Sequence, residues 1–319
     1  MRAIPLLTLL LGGWFVVPAH ADEAQDWLTR LGQAEQQQSF QGTFVYERNG
    51  SFSTHNIWHR VQEGKVHERL LQLDGSAQEV VRVDGHTQCV SGTLIAGLGD
   101  TPNSAARAID PQKLKNWYDL AVIGKSRVAG RSAVIVSLTP RDQHRYGFEL
   151  HLDKETGLPL KSLLLNDKGQ LLERFQFTRL DTATVPSEGD LQPGADCKAV
   201  NLESDKSSAV KAAQTWHSDW LPPGFELTSS SARKDPETKT QVSSLMYDDG
   251  LARFSVFLEP LNGAVVTDTR IQLGPTVAVS RRLTTAQGEM MVTVVGEIPI
   301  GTAERIALSM RADAATTKQ

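Results

Sequence analysis

The sequence predicts an α+β protein that is mostly antiparallel β, split into a large and a small domain. Three observations carry that prediction. From Phe40 onward apolar and polar residues alternate with a period of two. Between the alternating runs, Asn-Gly, Glu-Gly, Asp-Gly and Ser-Gly pairs recur at hairpin spacing. A polar stretch with Pro, Gly and Ser and few large apolar residues then divides the chain, and a second, shorter strand series follows it. Links of a few residues are too short for crossovers, so neighbouring strands run antiparallel.

The chain opens on a positive Arg2, an apolar stretch from Ile4 to Val17, and Ala19-His20-Ala21, small residues at the positions a signal peptidase reads. This predicts a secretory signal over 1–21, cleaved after Ala21. The apolar run is shorter than the ~20 residues a membrane span needs, and the Asp22-Glu23 that follows is acidic where a stop-transfer anchor is basic.

Asp22 begins a helical pattern, with Trp27, Leu28, Leu31 and Ala34 on one face. Phe40, Gly42, Phe44 and Tyr46 then alternate with polar neighbours up to Asn49-Gly50, the strongest short hairpin signal. Strand-like runs follow at Phe52–Val61, Lys65–Leu73, Gln78–Val83 and His86–Val90, as one meander. Gly92 to Gly99 is apolar, Gly-punctuated and long for a hairpin link, which reads as a functional loop or lid carrying Leu94, Ile95 and Leu98. A short helix is expected over Gln112–Tyr118. Strands resume at Leu120–Val128, Ala133–Thr139, Tyr146–Leu152, Leu158–Leu165 and Leu171–Leu180. The large domain is thus placed at 22–190, a linker at 191–215 and a small domain at 216–319. Within the linker, Ala209 to Trp216 has the composition of a short helix. The small domain's strands are expected at Gln241–Tyr247, Leu251–Leu258, Arg270–Leu273, Thr276–Arg282 and Glu289–Val295. A last helix covers Thr302–Met310, with Thr302 as its N-cap.

Composition narrows the function. A net charge of −4 gives no basic footprint for nucleic acid, and two cysteines cannot make a disulfide-dense scaffold. No nucleophile elbow, phosphate-binding loop, dinucleotide fingerprint or His-Glu-x-x-His motif is present, so neither a catalytic set nor a cofactor is expected. His55, His59 and His67 form the densest histidine group. On a strand His55 and His59 stand about 13 Å apart, too far for one metal ion, and they read as solvent-facing. Asp248-Asp249 and the Asp153, Glu155 pair sit at turn signals, where carboxylates bond the local backbone. Asn49-Gly50-Ser51 matches a glycosylation acceptor, although the same residues make the hairpin turn. Cys89 and Cys197 meet an oxidising compartment after export; a bridge, two free thiols or a bridge between chains all stay open.

The large domain is more apolar than a half-exposed meander requires, notably at Leu70-Leu71, Leu163-Leu164-Leu165 and the 93–98 run. Either its core is well filled, or a curved sheet encloses an apolar ligand cavity. Phe44, Trp58 and Leu71 are the expected lining and Leu94, Ile95 and Leu98 the gate.

The run Leu70-Leu71-Gln72-Leu73-Asp74-Gly75 with Glu79-Val80-Val81-Arg82 resembles the periplasmic RseB/MucB family of envelope-stress regulators. So do Trp220-Leu221-Pro222-Pro223-Gly224-Phe225, Tyr247-Asp248-Asp249-Gly250-Leu251 ahead of Phe254-Ser255-Val256, and Thr293-Val294-Val295-Gly296-Glu297-Ile298-Pro299 ahead of Ala303. In detail they look most like the mucoidy (alginate) regulator branch. The resemblance implies a large domain similar to LolA-type lipoprotein carriers, an unclosed β-barrel capped by helices around an apolar cavity. It implies binding to the periplasmic part of a transmembrane anti-sigma factor and protection of that factor from site-1 proteolysis. An extracytoplasmic-function sigma factor is thereby kept inactive until lipid or lipopolysaccharide fragments loosen the complex. Family contacts to the anti-sigma factor fall largely on the small domain, where Trp220, Phe225, Tyr247 and Phe254 are expected to order the fold. A lipid or lipoprotein carrier is the alternative reading, and self-association stays open.

Overall fold

Alternation and turn chemistry shape the first half of the molecule. In the computed structural model, which describes residues 19–76, 78–91, 109–200, 216–234, 240–285 and 288–313, the first helix α1 (Ala19–Gln37) leads into β1 (Phe40–Arg48). Asn49 and Gly50 both take positive φ, 52° and 73°, and so turn the chain straight back into β2 (Ser51–Gln62). The meander continues through β3 (Lys65–Gln72), β4 (Glu79–Val83) and β5 (His86–Ser91). A single helical turn, α2 (Pro111–Leu114), precedes β6 (Tyr118–Val128), β7 (Arg131–Pro140), β8 (Gly147–Asp153), β9 (Pro159–Leu165) and β10 (Leu171–Asp181). The helix expected over Gln112–Tyr118 is therefore shorter, because Tyr118 already pairs with Pro140 in the sheet.

These strands form one eleven-stranded antiparallel sheet in the order β11-β5-β4-β3-β2-β1-β10-β9-β8-β7-β6, where β11 is Lys198–Ala199. It is two meanders, not one. β10 returns beside β1, with Phe177 opposite Phe44 and Phe175 opposite Tyr46. A turn signal reports only the strand next in sequence, so this distant pairing is invisible to it. The ends, β6 and β11, do not pair, which leaves the sheet open.

The amphipathic face of α1 closes one side. Ala24, Trp27, Leu28 and Leu31 pack on Leu120, Val134, Val136, Leu138, Leu150 and Leu152. Each large side chain fully buried there contributes on the order of 2 kcal/mol. A second cluster, Ala34, Phe40, Phe44, Leu70, Val80, Leu158 and Phe177, continues the inner face toward β4.

After α3 (Glu188–Leu191) the chain runs to the small sheet. The segment expected as a linker begins by pairing β11 with β5, so its first residues belong to the large sheet. Trp216 opens β12 (Trp216–Ser218); the helix expected over Ala209–Trp216 otherwise lies outside the described residues. β13 (Glu226–Lys234), β14 (Gln241–Asp248), β15 (Arg253–Pro260), β16 (Thr269–Leu273), β17 (Thr276–Thr285) and β18 (Gly288–Gly296) form a six-stranded antiparallel sheet, ordered β13-β14-β15-β18-β17-β16. β13, rich in Ser and without large apolar residues past Leu227, is a strand the alternation does not reveal. The helix α4 (Ile300–Ser309) lays Ala303, Ile306 and Ala307 on Val256, Val277, Val279, Val292 and Val294, and β19 (Met310–Ala312) pairs with β12. Pro299, not Thr302, stands at the N-cap. Thr302 is buried three residues inside, its amide and that of Ala303 bonded to the Pro299 carbonyl.

Candidate ligand cavity and interdomain joint

Parity along β1, β2 and β3 decides which side chains face the inside. Phe40 pairs with His59, Gly42 with Ile57 and Phe44 with His55, and Ile57 pairs with Leu70. These residues share the inner face. Phe44 stands there within 4.7 Å of the Phe175 ring and 5.9 Å of the Phe177 ring. Trp58 and Leu71, each one residue out of step, point to the opposite face, where Trp58 lies under the Arg69 guanidinium at 5.0 Å. They do not line a cavity with Phe44; a one-residue offset on a strand moves a side chain through the sheet, and Ile57 and Leu70 hold the inner places. Leu94, Ile95 and Leu98 lie outside the described residues, as does most of the signal segment ahead of Ala21.

The inner face contains a cavity of about 670 Å³ between the end of α1 and strands β1 to β4, β9 and β10. Phe40, Ile57, Phe175 and Phe177 form its apolar wall, and His59, Glu68 and Arg82 its polar rim. Here the histidines depart from expectation. His55 and His59 are buried, because α1 and the inner aromatic residues cover the face they share. His59 Nε2 donates to the carbonyl of Glu35 at 2.9 Å, and its Nδ1 lies 2.9 Å from Glu68. Burial works to raise Glu68, but His59 and Arg82 outweigh it and hold the carboxyl below its usual range. Burial likewise lowers His55, against the nearby charge of Asp74. An apolar wall with one charged rim fits an amphiphile better than a small polar solute.

The second feature is where the two sheets meet. The loop between β7 and β8 carries Arg145 into the small sheet, with both Arg145 and Asp249 side chains at 0% exposure. Arg145 Nη1 reaches Asp249 at 2.5 Å, Nη2 reaches Asp142 at 2.9 Å and the Pro223 carbonyl at 2.5 Å, and Nε reaches Asp142 at 3.2 Å. Asp249 also accepts the Leu251 and Ala252 amides, 2.9 and 2.7 Å. Burial raises its carboxyl above the usual range, against the pull of those amides and of Arg145. Asp248 caps Gly250 at 2.7 Å and pairs with Arg253, while Asp153 bonds Thr156 and Arg131. The turn role expected of these carboxylates is therefore their local role. What the sequence did not announce is the long-range partner of Asp249.

Trp117 walls the joint, and Gly224 (φ +88°) sits so close to its ring that a Cβ would overlap it. Tyr118 adds its hydroxyl to Asp249 at 3.4 Å, Tyr146 donates to the Ile298 carbonyl at 3.1 Å, and His144 meets Thr302 at 3.1 Å. Of the expected ordering residues, Phe225 and Tyr247 pack on Phe254 with rings 5.2 and 5.0 Å apart. Trp220 lies between the Arg305 guanidinium and the His144 ring, at the joint itself. A smaller contact joins the sheets at the far end of β1, where Arg48 reaches Glu297 at 3.1 Å and the Thr276 hydroxyl. A groove of about 760 Å³, lined in part by Pro140, Asp142, His144 and Leu165, opens beside the main joint.

Cys89 and Cys197 form a disulfide. Of the alternatives open in the sequence, the pairing within the chain is the one realised, because β11 lies directly against β5 with Ala199 opposite Cys89.

An open, helix-covered antiparallel sheet with an inner cavity, joined to a small α+β domain, defines a two-domain, mostly antiparallel β protein. The MucB/RseB N-terminal domain model matches residues 23–195 and the MucB/RseB C-terminal domain model residues 210–311. The chain belongs to the MucB/RseB family, whose members are regulatory proteins and not enzymes. Over 321 residues it is 62% identical to the sigma factor AlgU regulatory protein MucB of Pseudomonas aeruginosa, with 100% of each chain covered. It is 28% identical over 298 residues to the sigma-E factor regulatory protein RseB of Escherichia coli K12, covering 90% of each. Among solved structures, the complex of P. aeruginosa MucA and MucB superposes with a TM-score of 0.81 at 63% identity, covering 92% of this chain and 100% of that one. A crystal structure of MucB gives 0.69 at 60% identity, covering 92% and 98%.

Proposed function

We propose that this chain is a periplasmic negative regulator that binds the periplasmic region of a transmembrane anti-sigma factor and shields it from site-1 proteolysis. The observation that carries this is the full-length identity of 62% to a regulator of the sigma factor AlgU, together with likeness to a MucA/MucB complex across both sheets. The controlled output is an envelope-stress sigma factor of the alginate-regulating kind. In this reading the small domain, ordered by Phe225, Tyr247 and Phe254, supplies most partner contacts. The inner cavity of the large sheet takes the lipid or lipopolysaccharide signal. A ligand that prefers the unpartnered form weakens partner binding by its differential affinity, and the partner weakens ligand binding by the same factor.

The joint supports regulation over simple carriage. A carrier needs the cavity alone, whereas here removing 216–319 strips Asp249 and the Pro223 carbonyl from Arg145. The test is a cleavage assay with the purified chain, the anti-sigma periplasmic segment and the site-1 protease. Cleavage is expected to slow on adding the chain and to recover when lipopolysaccharide is added. Undiminished cleavage would sink the shielding role, and slow cleavage that persists with lipopolysaccharide would sink the release role.

A further inference from the structure

The segment between the sheets does not simply hang free. Ser187 and Asp190 cap one another around α3, and from there to Val200 no residue is buried. This stretch nevertheless follows the outer face of β3, β4 and β5. Three kinds of bond hold it. The carboxylate of Glu79, only 4% exposed, accepts the Gly194 amide at 2.9 Å and Arg69 Nε at 2.5 Å. Arg69, seated over Trp58, also donates to the Asp190 carbonyl at 3.0 Å. Beyond them come the two-residue ladder of β11 on β5, the Val200 amide on the Gln88 carbonyl at 2.9 Å, and the Cys89–Cys197 disulfide. The strap is therefore seated on Arg69 and Glu79 and bonded to Cys89, while contributing no buried apolar side chain of its own.

We propose that residues 187–200 are a reducible strap, whose disulfide decides whether the chain is held to the large sheet as far as Val200 or only as far as the buried Pro186. Without the covalent bond the strap keeps only a few polar contacts, partly buried, each opposed by the entropy of holding an otherwise exposed chain. Opening is then local, because no core leaves with it. Cys197 is half-buried between exposed neighbours whereas Cys89 is 6% exposed, so Cys197 is the more accessible of the two. In the exchange, one thiolate of a dithiol attacks Cys197 Sγ and Cys89 leaves as a thiolate that takes up a proton. The second thiol of the reductant then closes on the mixed disulfide. Cys197 is released as a thiol and the reductant ends as its own cyclic disulfide. The open form about doubles the stretch of chain between the two sheets, which lowers the effective concentration holding them together. It also frees the seat that Arg69 and Glu79 make on the outer face.

Hydrogen exchange of the full chain, oxidised and after dithiothreitol, tests this. Amides of Gly194, Cys197 and Val200 are expected to exchange at least about tenfold faster after reduction, while those of β7 and β8 stay unchanged. The double variant Cys89→Ser/Cys197→Ser should show the fast pattern without any reductant. Strap amides that remain equally slow after verified reduction and in the variant would overturn the proposal. So would an equal acceleration in β7 and β8, because the disulfide would then hold the whole sheet and not a strap.

Discussion

The large and small sheets meet at a main joint and at the far end of β1, and at each an arginine faces a carboxylate, beside other bonds such as Lys113 to Glu226. The two arginine pairs differ in water. Arg145 and Asp249 are fully buried, with Asp142, the Pro223 carbonyl and the Leu251 and Ala252 amides taking up the remaining hydrogen-bonding capacity. Arg48 is 16% exposed and its Glu297 partner 40%. In the first pair removal of either partner strands a charge without solvent, so the geometry of the joint is enforced by the penalty for breaking it. In the second, water replaces a lost partner at little cost. The buried pair therefore sets how the sheets sit together, and the surface pair only trims that arrangement.

The largest effect is expected from breaking the buried pair on one side. Asp249→Ala should cost about 3–5 kcal/mol in urea unfolding, because Arg145 keeps its burial and loses its main counter-charge. Replacing both, as Arg145→Met with Asp249→Leu, should cost clearly less than the single change. If the double variant is as unstable as the single one, the penalty lies in packing and not in the stranded charge. Next comes Gly224→Ala, which combines a strained positive φ with overlap on Trp117. A loss of about 1–3 kcal/mol and a lowered Tm are expected; an unchanged Tm would mean that Trp117 swings aside freely.

Much of the strand layout was legible in the chain. Turn chemistry at Asn49-Gly50, Glu63-Gly64 and Asp84-Gly85 marks hairpins that the structure contains, each with positive φ at both residues. Alternation located β6 to β10 and β14 to β18 for the same local reason. The inner face was legible only in part. Phe44, expected as cavity lining, stands on the inner face, whereas parity puts Trp58 and Leu71 on the opposite face and turns His55 and His59 inward. Burial on a strand follows register, and a buried histidine needs only partners such as Glu68 and the Glu35 carbonyl. Arg145 carried no local signal at all. Its nearby partner Asp142 does not point to the small sheet, and its partners there lie 78 and 104 residues further on, so nothing short of the assembled fold brings them together.

Acid should loosen the main joint through His144. Burial lowers its pKa below the ordinary 6.5, with Arg305 and Arg145 adding to the effect and Asp142 opposing it. A group lowered in the fold favours folding while neutral. Its contribution is complete above about pH 6.5, the unfolded value, and is lost as pH falls below it. Unfolding followed from pH 7.5 to 5.5 should show stability falling over that window, with the fall reduced in His144→Gln. An identical slope in the variant would assign the acid sensitivity to other groups, the buried His55 and His151 foremost.

The smallest effect is expected at the surface contact, and its smallness is what the comparison turns on. Arg48→Ala removes the reach to Glu297 and Thr276, and also the 3.7 Å approach to Glu173 beside the inner aromatic wall. With Glu297 free to hydrate, the loss should not exceed about 1 kcal/mol, and it should shrink as salt is raised from low to physiological strength. A salt-independent loss of several kcal/mol would mean that Arg48 is held as firmly as Arg145. Both ends of the interface would then be rigid, and cavity occupancy on the β1 and β10 wall would have a second stiff route to the small sheet. A small, screened loss leaves Arg145 and its neighbours as the joint through which any change in the large sheet must pass.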